Sequence, residues 1–331
     1  MKSGMKVKLW GVRGSIPSPH QTEKLDNKSY KLIEGFVKAG LSKTEEIGPY
    51  LSCLPGYKVH GWGGNTACVS VHSPEVDIII DGGSGIRSYG YQLMSGPCGR
   101  GQGIVHLFMT HVHWDHIMGL PFFLPLFVPG NQIHVYGVEP DTRDIFSTLF
   151  KKPFFPVPLE MIGSTIYHHR LEPREPYKIG NLTVTPYLLD HPDPCWGYRI
   201  SDQKNVFSHC VDTECTRMTH KALGPDLPLY QGVDLMTFDA QYTTREKYER
   251  INWGHASAAL GIDLAIREGV KKIVFMHNDP AADDQQIADV EDETRRYYEQ
   301  MQRMARENDR EVPVVDWSFG VEGSEHIIDN P

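Results

Sequence analysis

The sequence predicts a mixed α/β (α+β) fold of two sheets with helices outside, and three observations lead there. Short β-branched runs recur along the chain, and helical patterns are interposed among the later ones. With 40% hydrophobic and 23% charged residues, the composition is that of a globular chain able to bury a sizeable core. Early hairpin-like strands followed by strand–helix units are expected to form packed sheets flanked by helices. The 331 residues suit one large domain, read as 1–331.

The runs at 7–10, 67–72, 77–80, 104–109, 133–135, 183–188, 198–200, 206–208, 235–238 and 272–276 read as strands. Residues 115–123, 142–150, 256–268 and 283–307 read as helices. The last places Ile287, Val290, Tyr297, Met301 and Met304 at roughly helical spacing. Two segments, 18–60 and 150–180, are dotted with Gly and Pro and read as irregular insertions, either solvent-facing loops or lids. Residues 283–331 read as an acidic helical appendage. They hold 14 acidic and 5 basic residues, which accounts for the whole net charge of −9 and leaves the rest neutral.

Several function classes are disfavoured. The longest apolar stretch, 120–128, is far shorter than a membrane span and contains two prolines. Residues 1–6 lack a signal-like apolar region, so a cytoplasmic protein without membrane contact is expected. Six cysteines without a Cys-x-x-Cys pair suggest free thiols. No basic stripe is present for gripping long nucleic acid, whereas a small anionic substrate fits the balance of charge.

The chemistry concentrates in His111-Val112-His113-Trp114-Asp115-His116, just after a strand. Chance placement would give this His-x-His-x-Asp-His pattern roughly 0.002 times in such a chain. Imidazole and carboxylate are the usual ligands of Zn²⁺ and its neighbours. The bland alternative is a polar turn with Asp115 as a helix N-cap, which would not call for three histidines. His191, Asp212 and His277 each stand just past an apolar run, where loops can bring them to a shared site.

Five motifs in order carry a resemblance to the metallo-β-lactamase superfamily across roughly residues 5–280: Asp81 in Ile-Ile-Ile-Asp-Gly-Gly, the His111–His116 run, His191, Asp212 and His277. The resemblance implies a four-layer αβ/βα sandwich with a two-metal site at one edge. His111, His113 and His191 would hold one divalent ion and Asp115, His116 and His277 the other, with Asp212 between them. Zn²⁺ is the default and Mn²⁺ or Fe²⁺ the alternatives. Asp81 would hold the ligand loop by hydrogen bonds. A homodimer is also what the resemblance suggests.

Two further features look like the phosphodiesterase branch, which includes tRNA 3′-processing endonucleases and bacterial cyclic-nucleotide phosphodiesterases. These are Gly254-His255-Ala256-Ser257 and Asp239-Ala240 at a strand end. By that resemblance His255 would donate a proton to the leaving group, with Asp239 in support and Asp115 orienting the attacking hydroxide. The bland reading of His255 is a residue capping its own helix turn. Trp10-Gly-Val-Arg-Gly-Ser-Ile-Pro17 and Gly63-Gly64-Asn65-Thr66 resemble a bacterial subgroup of this branch. Arg13 and Asn65 are therefore candidate substrate contacts, although a structural ion pair would equally explain Arg13. Phe154 and Phe155 are candidate contacts to a nucleobase.

The run Ser208-His209-Cys210-Val211 before Asp212 departs from the family's usual small residue, and a long basic arm is absent. The expected activity is hydrolysis of a small phosphodiester, such as a cyclic nucleotide. The alternatives are a lactone, thioester or β-lactam hydrolase on the same fold, and a metal- or nucleotide-binding sensor with an inactive site.

Overall fold

The computed structural model describes residues 4–139 and 141–330; Met1–Ser3, Pro140 and Pro331 lie outside the described residues, as does that part of the N-terminal reading. Among the described residues fourteen strands form two seven-stranded sheets. The first sheet holds β1 (Met5–Gly11), β2 (Cys68–His72), β3 (Asp77–Ile80), β4 (Ile104–Phe108), β5 (Gln132–Gly137), β6 (Thr165–Arg170) and, from the far end of the chain, β14 (Glu325–Ile328). The second holds β7 (Tyr177–Ile179), β8 (Leu182–Leu188), β9 (Trp196–Ser201), β10 (Val206–Cys210), β11 (Leu235–Asp239), β12 (Lys272–Met276) and β13 (Asp316–Phe319). Their orders are β14-β1-β2-β3-β4-β5-β6 and β13-β12-β11-β10-β9-β8-β7. Each sheet is antiparallel on one side, where hairpins suffice, and parallel on the other, where longer crossovers are needed.

Alternation along the strands sets the layers. Met5, Val7 and Leu9 of β1 join Val69 and Val71 of β2 and Val274 and Met276 of β12 in a core between the sheets. Side chains of the opposite parity form two outer cores. Val105 and Leu107 of β4 pack with Ile86, Tyr89 and Phe146. Ile273 and Phe275 of β12 pack with Ile262, Ala265, Ile287 and Tyr298 from the helices Ala258–Glu268 and Asp284–Glu307. The result is the expected four-layer sandwich, with central parallel strands buried on both faces.

The sequence reading needs correction in four places. Segment 18–60 contains helices Thr22–Lys38, Thr44–Ser52 and Gly56–Val59, none with a buried residue. The expected helix over 115–123 is only Trp114–Ile117, followed by 3₁₀ turns at Leu120–Phe122 and Leu124–Phe127, because Pro121 and Pro125 cannot donate helical hydrogen bonds. Segment 150–180 contributes edge strands β6 and β7. Residues 283–331 are no appendage. They supply β13 and β14, one to each sheet, and a helix whose Ile287, Ala288 and Tyr298 are buried in an outer core. All six cysteines are free, five of them buried. Among the described residues no helix is long and apolar enough to cross a membrane.

Residues 12–15 tie the two sheets together above the strand ends. Gly14 N–H donates to Asn278 O at 3.0 Å and Asn278 N–H to Val12 O at 2.9 Å. Arg13 Nε donates to Gly63 O, and its Nη1 to Asp279 O and Ala282 O, at 2.8–3.0 Å. Removing residues 309–331 should therefore expose the edges of β1 and β12 and leave the chain insoluble or with a sharply lowered Tm. An unchanged Tm would restore the appendage reading.

Candidate active site

The site residues follow strand ends that face one another across the sandwich: Asp81 after β3, the His111–His116 run after β4, His191 after β8, Asp212 after β10, Asp239 closing β11 and His277 after β12. Three of these turn into the left-handed region at the functional residue itself, with φ of 63° at Asp81, 64° at Asp212 and 67° at His277. Such a conformation costs a non-glycine residue about 1–3 kcal/mol. It persists here because the side chains it aims are held on arrival.

Two carboxylates do the holding. Asp81 accepts from Thr110 N–H at 2.9 Å, the Thr110 hydroxyl at 2.8 Å and His116 Nδ1–H at 2.8 Å. The Thr110 oxygen in turn accepts from His111 Nδ1–H at 3.0 Å. One buried carboxylate thereby orients two imidazoles and turns their Nε2 atoms inward. Asp239 accepts from His255 Nδ1–H at 2.9 Å and from the amides of Ala256, Gln241 and Asp212 at 3.0, 3.1 and 3.2 Å.

The ligand-type atoms converge in overlapping groups. Those of His111, His113 and His191 lie within 4.8 Å of one another, as do those of Asp115, His116 and His277, and those of His111, His116 and Asp212. Asp212 also groups with Asp239, His255 and His277, so it stands between the two triads. The Nε2 atoms of His111, His116 and His191 and Oδ2 of Asp212 are buried without a hydrogen-bond partner. His116 Nε2 lies 3.0 Å from Asp212 Oδ2, yet neither atom completes a hydrogen bond. Buried polar atoms rarely remain unsatisfied. Lone pairs of imidazole and carboxylate meeting at one point fit divalent cations. His113 is the loosest member: its side chain is 43% exposed and its Nε2 contacts Asp193 at 3.0 Å.

The electrostatics show the same demand for positive charge. Burial raises the pKa of Asp212 and Asp115, but the positive charge of His116 and His277 outweighs it and holds both well below the usual carboxylate range. Burial likewise opposes protonation of His116 and His277. The surrounding carboxylates prevail, raising His116 well above its ordinary value and His277 to about 9. His111, with less compensation, is pushed well below its ordinary value by burial. Without metal, protons on His116 and His277 neutralise the carboxylates; bound cations would displace them.

The cavity over these groups measures about 390 Å³ and is lined by His113, Trp114, Asp115, Asp212, His255 and His277. Ser15 also lines it, its N–H donating to Asp115 Oδ2 at 2.7 Å. Gly14 is tightly placed: a Cβ there would sit 2.4 Å from His277 Nδ1 and 2.5 Å from Gln241 Oε1. A larger cavity of about 610 Å³, lined by Lys24, Lys28, Lys31 and Lys58, lies among the helices of segment 22–59 and holds none of these ligand groups.

The four candidate substrate contacts fall elsewhere. Arg13 is 3% exposed and its guanidinium is occupied by three carbonyls, so neither a phosphate contact nor an ion pair describes it. Asn65 is clasped to Glu322 at 2.6 Å through its amide and accepts from Ser84 Oγ at 2.9 Å. Phe155 packs on Phe122 and Phe150, and Phe154 is exposed; neither lines the cavity. His209 points away from the cluster to Thr237. The sequence reading missed Trp114 and Ser15 as cavity walls. The one available signal was a large aromatic inside a ligand run, where small residues would serve.

Residues 77–278 match the family described as Beta-lactamase superfamily domain. Ribonuclease Z of Crocosphaera subtropica is 33% identical over 105 residues, 30% of this chain and 31% of that protein, so the chain spans about a third of that relative's length. An uncharacterized protein of Mycobacterium tuberculosis is 26% identical over 63% of this chain and 71% of its own. Among solved structures, the metallo-β-lactamase fold protein YhfI of Bacillus subtilis superposes with a TM-score of 0.62 at 16% identity, covering 98% of this chain and 100% of that one. Unliganded yeast PDE1 superposes with a TM-score of 0.58 at 14% identity, covering 98% and 99%. At these identities the superpositions speak for the fold.

The raised pKa of His277 gives a test of proton–metal exchange. Its contribution to the stability of the metal-free protein is complete below about pH 6.5 and is lost as pH rises through about 9. The Tm of chelator-treated protein should fall across that window, and the Tm of metal-loaded protein should not. Parallel curves would contradict the exchange.

Proposed function

The chain belongs to the β-lactamase superfamily, and from that premise and the site's geometry we propose that it is a metal-dependent phosphodiesterase acting on a small nucleotide diester. The observation that carries this reading is the His255–Asp239 pair. His255 is 8% exposed and lines the cavity. Its Nδ1–H is committed to Asp239 at 2.9 Å, which leaves Nε2 as the nitrogen able to exchange a proton with a substrate. Asp239 is fixed by three backbone amides, so the imidazole it orients is fixed as well. A pre-aligned acid matters most where the leaving group is a poor one, such as the alkoxide of a diester.

His111, His113 and His191 would hold one cation and Asp115, His116 and His277 the other, with Asp212 between. When bound, divalent metal supplies Lewis-acid neutralisation of phosphate charge and acidifies water. Asp115 is positioned to orient the attacking water, since Ser15 N–H and His277 Nε2 already fix its Oδ2 at 2.7 and 3.0 Å. In this mechanism His255 delivers its Nε2 proton to the departing oxygen. Asp239 holds the ring in the orientation that presents Nε2 to the cavity.

His255→Ala should retain metal and reduce kcat on an unactivated diester by about 10²–10⁴-fold, with a smaller loss on an activated aryl diester. Full turnover of the unactivated substrate would refute the role. His113→Ala should lower metal content, measured on the purified protein by elemental analysis; an unchanged content would remove His113 from the ligand set.

A further inference from the structure

We propose that Trp114 is the platform on which a nucleobase flanking the scissile phosphate stacks, an inference that rests on the phosphodiester reading above. Six tryptophans occur in the chain. Trp10, Trp62 and Trp196 are buried at 5–7% exposure and Trp317 is half-buried. The two exposed ones, Trp114 at 65% and Trp253 at 63%, are the two that adjoin site residues in the chain. Trp114 sits inside the ligand run, between His113 and Asp115, and Trp253 stands two residues before His255. An indole is among the most favourable side chains to bury. Leaving the other four wholly or partly covered while these two face water marks a surface awaiting an apolar partner.

Trp114 also lines the cavity, on the wall adjoining Asp115, Asp212 and His255. The side chain of His113 before it is 43% exposed, but Asp115 after it is buried at 4%, as are His111 at 2% and His116 at 0% of the same run, so the indole rises from a fixed, charged floor. Its backbone is held as well: Met118 N–H donates to Trp114 O at 2.8 Å, and His116 N–H to His113 O at 3.0 Å. A rigid aromatic wall beside a phosphate-binding floor recognises a ring attached close to that phosphate. Stacking accepts any base, because every base presents a π-face. Trp253 does not line the cavity, although the residue after it lies against a site histidine. The Cα of Gly254 lies so close to the His191 ring that a Cβ there would fall 2.2 Å from His191 Cδ2. The guanidinium of Arg250 stands 5.9 Å from the Trp253 ring centroid. That indole already has a cationic partner, so the free platform is Trp114.

The test is binding to the Zn²⁺-loaded protein by calorimetry, which needs no turnover. AMP should bind more tightly than ribose 5-phosphate. Trp114→Ala should weaken AMP about tenfold and leave ribose 5-phosphate unaltered, and Trp114→Phe should recover most of the difference. Because Trp114 is exposed, these variants should fold as the unaltered protein does, and matching Tm values check it. Equal affinity for the two ligands in the unaltered protein would overturn the proposal. So would an equal loss for both in Trp114→Ala, or a preference that disappears in Trp253→Ala instead. Failure to hydrolyse any diester, with the AMP preference intact, would remove the phosphodiesterase reading and leave the platform standing.

Discussion

Everything at this site follows from the difficulty of burying carboxylates. Asp81, Asp115, Asp212 and Asp239 are each no more than 4% exposed, and an isolated ionised carboxylate in such surroundings would neutralise itself. The fold resolves the problem in two ways. Asp81 and Asp239 are saturated by amide, hydroxyl and imidazole donors and become fixed anchors. Asp115 and Asp212 have fewer fixed donors: Ser15 and His277 reach Asp115 Oδ2, while Asp212 Oδ2 has no hydrogen-bond partner. They depend on positive charge from outside the backbone, as protons on His116 and His277 or as cations. The first pair makes the site rigid and the second makes it hungry for metal.

Rigidity of this kind has to be imported from the whole sandwich. Left-handed turns at Asp81, Asp212 and His277 are unfavourable in isolation. Asp81 is held within its own half by Thr110 and His116, Asp212 by Asp239, and His277 by Asp115 of the opposite half. The Arg13 guanidinium grips carbonyls at 63, 279 and 282. Tyr198 Oη of the second sheet donates to Met109 O of the first at 2.6 Å, and Trp196 N–H to Thr110 O at 3.1 Å. These cross-sheet bonds sit directly beneath the ligand loop. A substitution such as Gly14→Ala would disturb the site without removing any ligand, since the added Cβ would meet His277 and Gln241 at once.

What the sequence disclosed was local or strongly biased. The His111–His116 run stood out because its residue types are rare together, and His191, Asp212 and His277 because each ends an apolar strand. The sequence was silent where the decisive partner is distant or is backbone. Arg13 looked like an anion contact because its real partners are carbonyls up to 269 positions away. Strand β14 pairs with β1, Ile328 opposite Met5, and its short, charged run gave no sign of that. Helix Thr22–Lys38 buries nothing; its Leu25, Leu32 and Phe36 stand at helical spacing, but the Gly and Pro residues around them dominated the reading. The aromatic pair Phe154-Phe155 attracted notice by composition, whereas Trp114, alone in its run, is the ring that faces the cavity. Exposure is a property of the fold, and one sequence does not state it.

The division of labour between the two anchoring carboxylates also bears on the choice of chemistry. Asp81 serves ligands only, through Thr110, His111 and His116. Asp239 serves the ligand residue Asp212 through its amide and at the same time fixes His255, which belongs to none of the two ligand triads expected to hold metal. For a thioester, whose thiolate departs readily, an imidazole held in this way would add little. For a phosphodiester the departing alkoxide is the difficult partner, and under the proposed function it is His255, fixed beside Asp212 and His277, that would protonate it. A buried carboxylate with four donors, shared between a ligand turn and an imidazole outside the ligand triads, couples the two requirements in one residue. The position of the donor and the position of Asp212 cannot then drift independently.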